Sequence, residues 1–236
     1  MDKVTKPKRF YKVAGIRGSE NGWSVTLDER IIKTPAKSAL CVPQQKLAEA
    51  IAAEWDAQGE TLDLQAMTLT RLANVAIDRT PDTRSDLIEE VQRYAETDLT
   101  CYLADHPSEL QARQDQAWRP WRDWAGEALG AVLVPVHGIV ASPQPQASLD
   151  AIGRHAKTLD DFALTGLTWA CSLFGSAVLA LALERGAIAA DDAFKLSLID
   201  EDWQIEQWGE DSEAMAARAA RGRDADALGL WFEALR

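Results

Sequence analysis

The pattern of apolar positions changes its period about forty residues into the chain. Between residues 23 and 28 every second side chain is apolar, which predicts a β-strand with one apolar face. The sequence Glu-Asn-Gly at residues 20–22 predicts a tight turn before this strand, because Asn and Gly tolerate positive φ. Residues 10–13 are the expected partner strand. A second turn at residues 28–30 leads to a further strand, so the sequence predicts a small antiparallel sheet.

Beyond Pro43 the apolar positions recur every three to four residues, as in amphipathic helices. Leu47, Ile51 and Trp55 form one stripe, which places Trp55 in the predicted core. Gly59 follows where a helix C-terminus favours positive φ. Further helices are predicted at residues 69–77, 87–103 (starting as early as Asp82 or Thr83), 111–129, 147–162, 163–185, 190–208 and 210–221, with a short one near the C-terminus and an extended connector at 131–140.

These elements predict the fold class and the division of the chain. The fold class is α+β, with a small N-terminal antiparallel β module followed by a larger α-helical bundle. We place the boundary after the first helix, which gives a β-rich N-terminal domain at residues 1–62 and an α-helical C-terminal domain at residues 63–236.

One segment is long enough to raise the question of a membrane span. Residues 162–183 contain no charged side chain, and a helix of this length could cross a bilayer. The run contains several Thr, Ser and Gly residues, however, and Asp160 and Asp161 precede it in place of a positively charged anchor. We therefore predict no membrane insertion and one buried central helix, in which Gly175 and Ser176 let neighbouring helices approach closely.

Composition and charge exclude several classes of function. The 236 residues are 47% hydrophobic and 26% charged, which is ordinary for a soluble globular protein. The net charge of -12 argues against nucleic acid as a partner, because phosphates require a basic face. The charge is unevenly spread, since residues 1–40 carry a balance of +5 and the remainder carries -17. Such asymmetry often serves an interaction, although solubility alone also explains it.

Cysteine usage and the N-terminal sequence indicate the compartment. Cys41, Cys101 and Cys171 show neither a disulfide framework nor a zinc-binding spacing, so we expect reduced thiols. The first residues lack an apolar signal region. We expect a cytoplasmic location in a bacterium, or the mitochondrial matrix if the source is eukaryotic.

The sequence contains no recognised signature of catalysis, cofactor binding or metal binding. It has no phosphate-binding loop, and its N-terminal glycines lack the spacing of a dinucleotide-binding motif. The three histidines are isolated from one another, so a two-histidine metal site has no support. We therefore predict no catalytic residues, no metal ligands and no cofactor.

The acidic, tryptophan-containing segment at residues 200–214 is the strongest candidate for function. Indole rings are costly to expose and carboxylates are costly to bury, so their interleaving favours a protein-binding surface. Trp203 and Trp208 lie about 140° apart around a helix, so we expect one ring to pack inward and the other to reach an edge. Core packing of the rings and a solvated helix start near Glu210 are the alternatives. A further alternative is a hydrolase in which Glu206 and Glu210 act as a pair of catalytic carboxylates.

Several motifs, in their order and spacing, resemble the ATP synthase assembly chaperone family that attends the alpha subunit, the Atp-twelve family. The motifs that carry the resemblance are residues 9–12 (Arg-Phe-Tyr-Lys), 27–28, 33–36, 53–58 (Ala-Glu-Trp-Asp-Ala-Gln), 69–73, Tyr94 with 97–99 and 101–102, 165–167 with 175–176, and Asp-Glu, Trp-Gln and Trp-Gly-Glu-Asp within 200–211. One departure lies at residues 29–32, where the family pattern would have a Gly-Arg turn.

The resemblance implies an ATP-independent chaperone that is not an enzyme. It would bind the free alpha subunit of the F-type ATP synthase catalytic sector and prevent its aggregation until the beta subunit replaces it. The predicted partner-binding residues are Glu201, Trp203, Glu206, Trp208, Glu210, Asp211 and Glu213. The rival interpretations are a carboxylate-dependent hydrolase, which requires a deep pocket with acids from separate helices, and a passive subunit of a stable complex.

Overall fold

A computed structural model describes residues 7–138 and 142–236, so the end of the predicted connector, residues 139–140, lies outside the described residues. The strands are β1 (Ala14–Ser19), β2 (Gly22–Leu27), β3 (Arg30–Ile31), β4 (Cys41–Val42), β5 (Tyr102–Leu103) and β6 (Val136–His137). The helices are α1 (Gln45–Asp56), α2 (Thr68–Asp78), α3 (Thr80–Glu96), α4 (Ser108–Leu129), α5 (Gln146–Thr158), α6 (Asp161–Phe174), α7 (Ala177–Glu184), α8 (Ala190–Ser197), α9 (Ile199–Trp208) and α10 (Ser212–Leu235). This order confirms the predicted α+β class, a small N-terminal antiparallel sheet followed by a helical part.

The chain divides into two compact units. The first contains the chain up to Asp82 together with Leu230–Arg236, and the second is Thr83–Gly229. Helix α3 is kinked at Thr83, where φ is −123° and ψ is 17°, close to the helix start predicted there. The predicted boundary between a β-rich domain at residues 1–62 and an α-helical domain at residues 63–236 stays a prediction, which limited proteolysis would test.

The N-terminal hairpin has a different first strand from the one predicted. Strand β1 pairs with β2 in antiparallel register, and Ser19 faces Gly22 across a two-residue loop. Such a tight loop places the partner strand directly beside the turn, so this strand is residues 14–19 and the prediction of residues 10–13 was wrong, although the Val13 carbonyl oxygen still accepts the Asp28 N–H at 2.9 Å. Residues 12 and 13 instead donate their backbone N–H groups to the carboxylate of Asp28.

The second turn of the sheet is present as predicted, between β2 and β3. Asp28 and Glu29 both have positive φ, 46° and 68°, although neither is a glycine. Asp tolerates this conformation better than most residues, and here its carboxylate accepts two backbone N–H bonds. These bonds, first that from Lys12 and then that from Val13, lower the pKa of Asp28. Hydrogen bonds from residues that lie 16 and 15 positions earlier in the chain thus stabilise a turn that lacks the glycine of the family pattern.

Helix α1 ends earlier than the sequence predicts. It stops at Asp56, and Ala57 stays in the right-handed region, whereas positive φ was predicted at Gly59 and is not found there. The reason lies in a preceding segment of chain. The Arg9 guanidinium donates to the carbonyl oxygens of Asp56 and Gln58 at 3.0 and 2.5 Å, and satisfies groups that helix ends leave unpaired. Arg9 also lies over the Tyr11 ring, 4.6 Å from its centroid.

Trp55 is half-buried, and does not lie in the core interior as predicted. Its ring packs edge-on against Tyr11, with centroids 5.7 Å apart, at the border of a small apolar cluster. The Tyr11 hydroxyl donates to the Trp55 carbonyl oxygen at 2.5 Å. Leu47 and Ile51 of the same stripe are fully buried, so the stripe itself is confirmed.

A remote carboxylate caps helix α2. Glu54 of α1 accepts the backbone N–H groups of Leu69 and Thr70 at 2.7 and 2.8 Å, and also the Thr70 hydroxyl. Burial raises the pKa of Glu54, and these hydrogen bonds oppose the shift. Two of the motifs noted in the sequence, residues 53–58 and 69–73, are therefore joined by one carboxylate.

The apolar run at residues 162–183 forms two helices, so the prediction of one central helix was wrong. Gly175 has φ +63° and ends α6, and the Ser176 side chain caps α7 by accepting from the Leu179 N–H. Gly175 and Ser176 therefore break a helix, whereas close helix packing was predicted for them. Within the described part of the chain no helix is long and apolar enough to cross a membrane.

The break is organised by a fully buried carboxylate, Asp98. Its Oδ1 accepts from the Thr100 N–H, the Thr100 hydroxyl and the Ser176 hydroxyl at 3.0, 2.8 and 2.8 Å. Its Oδ2 accepts from the Val178 N–H at 2.9 Å, in the first turn of α7. Burial raises the pKa of Asp98 against these four hydrogen bonds. The carboxylate thus joins the Thr97 motif to the Gly175 motif, 78 residues apart.

Two more helix predictions differ in detail. The helix predicted at 190–208 is divided at Leu198 into α8 and α9, because Leu198 turns inward and is almost fully buried. The predicted helix at 210–221 and the short C-terminal one form the single helix α10. Gly222 within it lies against the Phe194 ring, where an added Cβ would sit 3.4 Å away.

All three cysteines are free, as the sequence predicts. Burial, and after it the nearby charge of Asp98, raises the pKa of the Cys101 thiol to about 12.

Candidate functional site

Helix α9 carries the centre of the acidic, tryptophan-containing segment, and polar contacts fix its position within the second unit. On the α4 side, Arg113 donates to both carboxylate oxygens of Glu206 at 2.8 Å. The Gln114 amide donates to Asp200 at 2.6 Å and accepts the Ala104 N–H at 2.7 Å. Ile199 is the buried residue of α9, so hydrogen bonds and ion pairs hold most of this helix.

The α10 side of the helix is held in the same manner. Arg221 donates to both carboxylate oxygens of Glu201 at 2.8 and 2.6 Å. One turn earlier in α10, Arg218 donates to Asp202 at 2.5 Å. Arg221 uses one nitrogen for both oxygens, whereas Arg113 uses two nitrogens for the two oxygens of Glu206, and such a two-point contact fixes the angle of the pair as well as its distance.

These contacts change the interpretation of the predicted acidic surface. Glu201 and Glu206 are both engaged by arginines, so they position α9 and present little free charge. The hydrogen bond from Arg113 lowers the pKa of Glu206, whereas the general acid of a hydrolase needs a raised pKa. Glu210 lies beyond the end of α9, after Gly209, and does not share a helical face with Glu206. The geometry therefore gives no support to the paired-carboxylate hydrolase.

Trp203 lines a large groove on one side of α9. This groove has a volume of about 900 Å³ and an apolar lining for the most part. Its opposite wall is the segment that joins β5 to α4, including His106 and Pro107, which a cis peptide bond connects. Trp203 is half-buried and lines the groove, so it is less exposed than Trp208 but does not enter the core.

Trp208 projects from the C-terminal end of α9 and is 79% exposed. It borders the large groove and also a smaller groove of about 470 Å³ between α9 and α10, which Ile205 and Met215 line. Gly209, with φ +87°, ends the helix directly after it. An indole this exposed between two grooves is unusual in a folded chain, so this surface is the candidate binding surface of the second unit.

The unpaired acids lie around Trp208. Glu210 and Glu213 are exposed and have no ion-pair partner within the described residues. Asp211 is exposed but has a structural task, because its Oδ1 accepts the Ala214 N–H at the start of α10. Asp105, on the far wall of the large groove, is exposed too. The helix-start interpretation thus accounts for Asp211 and also for Glu213, which lies in the first turn of α10. Glu210 and Glu213 carry no ion pair in the described structure and form a free acidic rim beside an exposed indole.

Sequence reasoning missed the other half of this site. The segment between β5 and α4 and the arginines of α4 and α10 were not selected as candidates. Arg218 and Arg221, three residues apart in one helix, could have been noticed as partners for an acidic helix close by in sequence. Nothing in the sequence placed Arg113 opposite Glu206, 93 residues away.

Comparison with known proteins places this geometry in a family. The family model described as ATP12 chaperone protein matches residues 8–126. A crystal structure of Atp12 from Paracoccus denitrificans has 40% sequence identity and a TM-score of 0.90, covering 98% of this chain and 99% of that one. The crystal structure of a chaperone candidate from Agrobacterium tumefaciens has 39% identity and a TM-score of 0.92, covering 98% of this chain and 87% of that one. The chain therefore belongs to the ATP12 chaperone family.

Proposed function

We propose that this protein binds the free alpha subunit of the F-type ATP synthase catalytic sector and prevents its aggregation until the beta subunit replaces it. Membership of the ATP12 chaperone family makes assembly of the ATP synthase the process that the chain serves. The exposure of Trp208, between two grooves, is the observation that supports a polypeptide client most directly. An unassembled subunit exposes apolar surface that aggregates, and an aromatic anchor beside apolar grooves can cover such surface.

The proposed binding residues divide into three roles. Trp208 and Trp203 provide apolar contact, the first at the tip of α9 and the second inside the large groove. Glu210 and Glu213 form the free acidic rim, which steers and orients an approaching basic surface. The others position these groups, Glu201 and Glu206 through arginine pairs and Asp211 through the cap of α10.

Binding of this kind requires neither catalysis nor ATP. A holding chaperone needs an accessible surface and an affinity lower than that of the final partner, so that the beta subunit displaces it by mass action. We propose that the protein is not an enzyme and works without a cofactor. We place it in the bacterial cytoplasm, as the similarity to Paracoccus and Agrobacterium proteins suggests.

The proposal is tested by co-aggregation. Unfolded alpha subunit is diluted into ATP-free buffer, with and without the protein, and light scattering is recorded. We expect suppression of scattering, and transfer of the alpha subunit to added beta subunit. Unchanged aggregation in the presence of the folded protein would contradict the proposal, and a complex that beta subunit cannot dissociate would support a passive subunit instead.

A charge-reversal pair tests the acidic rim. Glu210→Lys places a positive charge beside Trp208, and Glu127→Lys makes the same change at an exposed position of α4. We expect Glu210→Lys to weaken capture by about tenfold, and Glu127→Lys to change it by less than about twofold. Equal effects of the two variants would mean that net charge, and not this rim, controls binding.

A further inference from the structure

The first unit contains a second groove, of about 490 Å³, with a lining that is polar and apolar in about equal parts and a charge opposite to that of the α9 surface. Its floor is formed by the side chains of Tyr11 and Leu27, both almost fully buried, with Ile32 and Trp55 half-buried beside them. These residues belong to a cluster that the chain packs for its own stability. The groove is thus a fixed part of the folded unit.

The rim of this groove exposes large apolar side chains. Phe10 is 74% exposed and rests edge-on against Tyr11, with ring centroids 5.4 Å apart. Ile31, from strand β3, is 39% exposed on the other side. Val13, next to the groove along the chain, is 63% exposed. Exposed apolar side chains are normal when they are scattered, but their convergence on one groove marks a binding surface.

The charged residues on the rim are basic in effect. Arg30 and Lys33 line the groove, are exposed, and have no ion-pair partner within the described residues. Asp28 also lines it as an ionised carboxylate that accepts the backbone N–H groups of Lys12 and Val13, so the lining carries two cations against one anion. Two free cations beside an apolar floor fit a ligand that has an apolar side chain and neighbouring carboxylates.

We propose that this groove is a second docking site, which binds an extended segment of the client polypeptide that carries an apolar side chain flanked by Asp or Glu. The segment inserts its apolar side chain above Tyr11 and Trp55, and its carboxylates pair with Arg30 and Lys33. This inference rests on the proposed function in that the client is the alpha subunit. Two sites of opposite charge on one chaperone each select a different segment of the client, which excludes partners that match one surface alone.

Photo-crosslinking separates this proposal from the proposed function. The photoreactive amino acid p-benzoylphenylalanine replaces Phe10 in one variant, Trp208 in a second, and Lys46, an exposed residue of α1, in a third as the control. Each full-length variant is irradiated with newly diluted alpha subunit, and mass spectrometry maps the crosslinked peptides. We expect position 10 to crosslink to an acidic, apolar segment, position 208 to a different segment, and position 46 to give background.

The outcomes are distinct. Crosslinks from position 208 without crosslinks from position 10 would overturn the second site and leave the proposed function standing. Crosslinks from position 10 to a segment that lacks carboxylates would overturn the proposed charge pairing. Absence of crosslinks from both positions would refute the proposed function itself.

A matched charge reversal supplies an independent measurement. Lys33→Glu reverses a rim charge, and Lys46→Glu makes the same change in the first turn of α1, where an acidic residue is well tolerated. We expect Lys33→Glu to weaken binding of the alpha subunit by about tenfold, and Lys46→Glu by less than about twofold. Equal affinities of the two folded variants would overturn the proposal.

Discussion

Replacing Trp208 by alanine tests the proposed anchor most directly. A tryptophan buries about 150–250 Å² when it is fully covered. Because the Trp208 side chain is 79% exposed, about 160 Å² is left for a partner to cover. At about 25 cal/mol per Å², the apolar contribution is at most about 4 kcal/mol. The entropy lost when side chains become ordered in the complex offsets part of this contribution. We therefore expect Trp208→Ala to reduce the binding free energy by about 2–3 kcal/mol, which is an increase of about 30- to 150-fold in Kd.

The fold itself should tolerate this change. Trp208 makes few contacts in the free protein, so Trp208→Ala should alter the free energy of unfolding by less than about 0.5 kcal/mol. Affinity is measured by titrating the alpha subunit under conditions that keep it unaggregated, and stability by urea unfolding. Leu64→Ala, which shortens an exposed apolar side chain in the first unit, is the control and should bind normally. Binding of folded Trp208→Ala within about twofold of wild type would refute the reasoning.

Three further predictions concern stability. Asp98→Ala leaves two backbone N–H groups and two hydroxyls unpaired in the interior, so we expect a loss of about 3–5 kcal/mol in urea unfolding, and a loss below about 1 kcal/mol would contradict this role. Arg113 lowers the pKa of Glu206 from its ordinary 4.5, so their pair stabilises the fold fully above that pH and less as the pH falls through the lowered pKa. Arg113→Met should therefore destabilise the protein near about pH 7 and lose this effect as the pH falls through the lowered pKa of Glu206, whereas a pH-independent difference would exclude the pair as its cause. The added methyl group of Gly175→Ala meets no neighbour, but the residue must adopt φ +63°, so we expect the free energy of unfolding to fall by about 1 kcal/mol, measured by calorimetry. Gly59→Ala, at a position equally open and without positive φ, is the control and should not change stability. Equal melting temperatures of the two variants would contradict the argument.

Local signals in the sequence were sufficient to predict the features of the fold that depend on neighbouring residues. The Glu-Asn-Gly turn, the second turn at Asp28, and the stripe of Leu47 and Ile51 all follow from side chains within a few positions of one another. The class of fold followed from the change of apolar period. The first strand was nevertheless placed too early, because the two-residue loop pairs Ser19 with Gly22 and so makes residues 14–19 the partner of β2.

Features that depend on distant residues could not be predicted in this way. The break at Gly175 depends on Asp98, and the early end of α1 depends on Arg9, which lies 47 residues before the carbonyl that it binds first. The same holds for the site. Its acidic segment was evident from composition, but the sequence did not show that Glu206 is bound by Arg113 while Glu210 is free. The family resemblance supplied part of this missing information, because several of its motifs, such as those joined by Glu54 and by Asp98, contain the residues that make these distant contacts.

The way in which α9 is attached has a consequence for its motion. Helix α9 is held mainly by polar contacts with Arg113, Arg218, Arg221 and Gln114. Its apolar contacts are those of Ile199, in a cluster with Leu103 and Trp118, and of the half-buried Trp203 and Ile205. Such an element opens locally at a small fraction of the free energy of global unfolding. Its amides should exchange with deuterated solvent sooner than those of α6, and added salt should accelerate this exchange by screening the ion pairs. A chaperone whose contact helix can detach and reseat would adapt to a client that is itself incompletely folded.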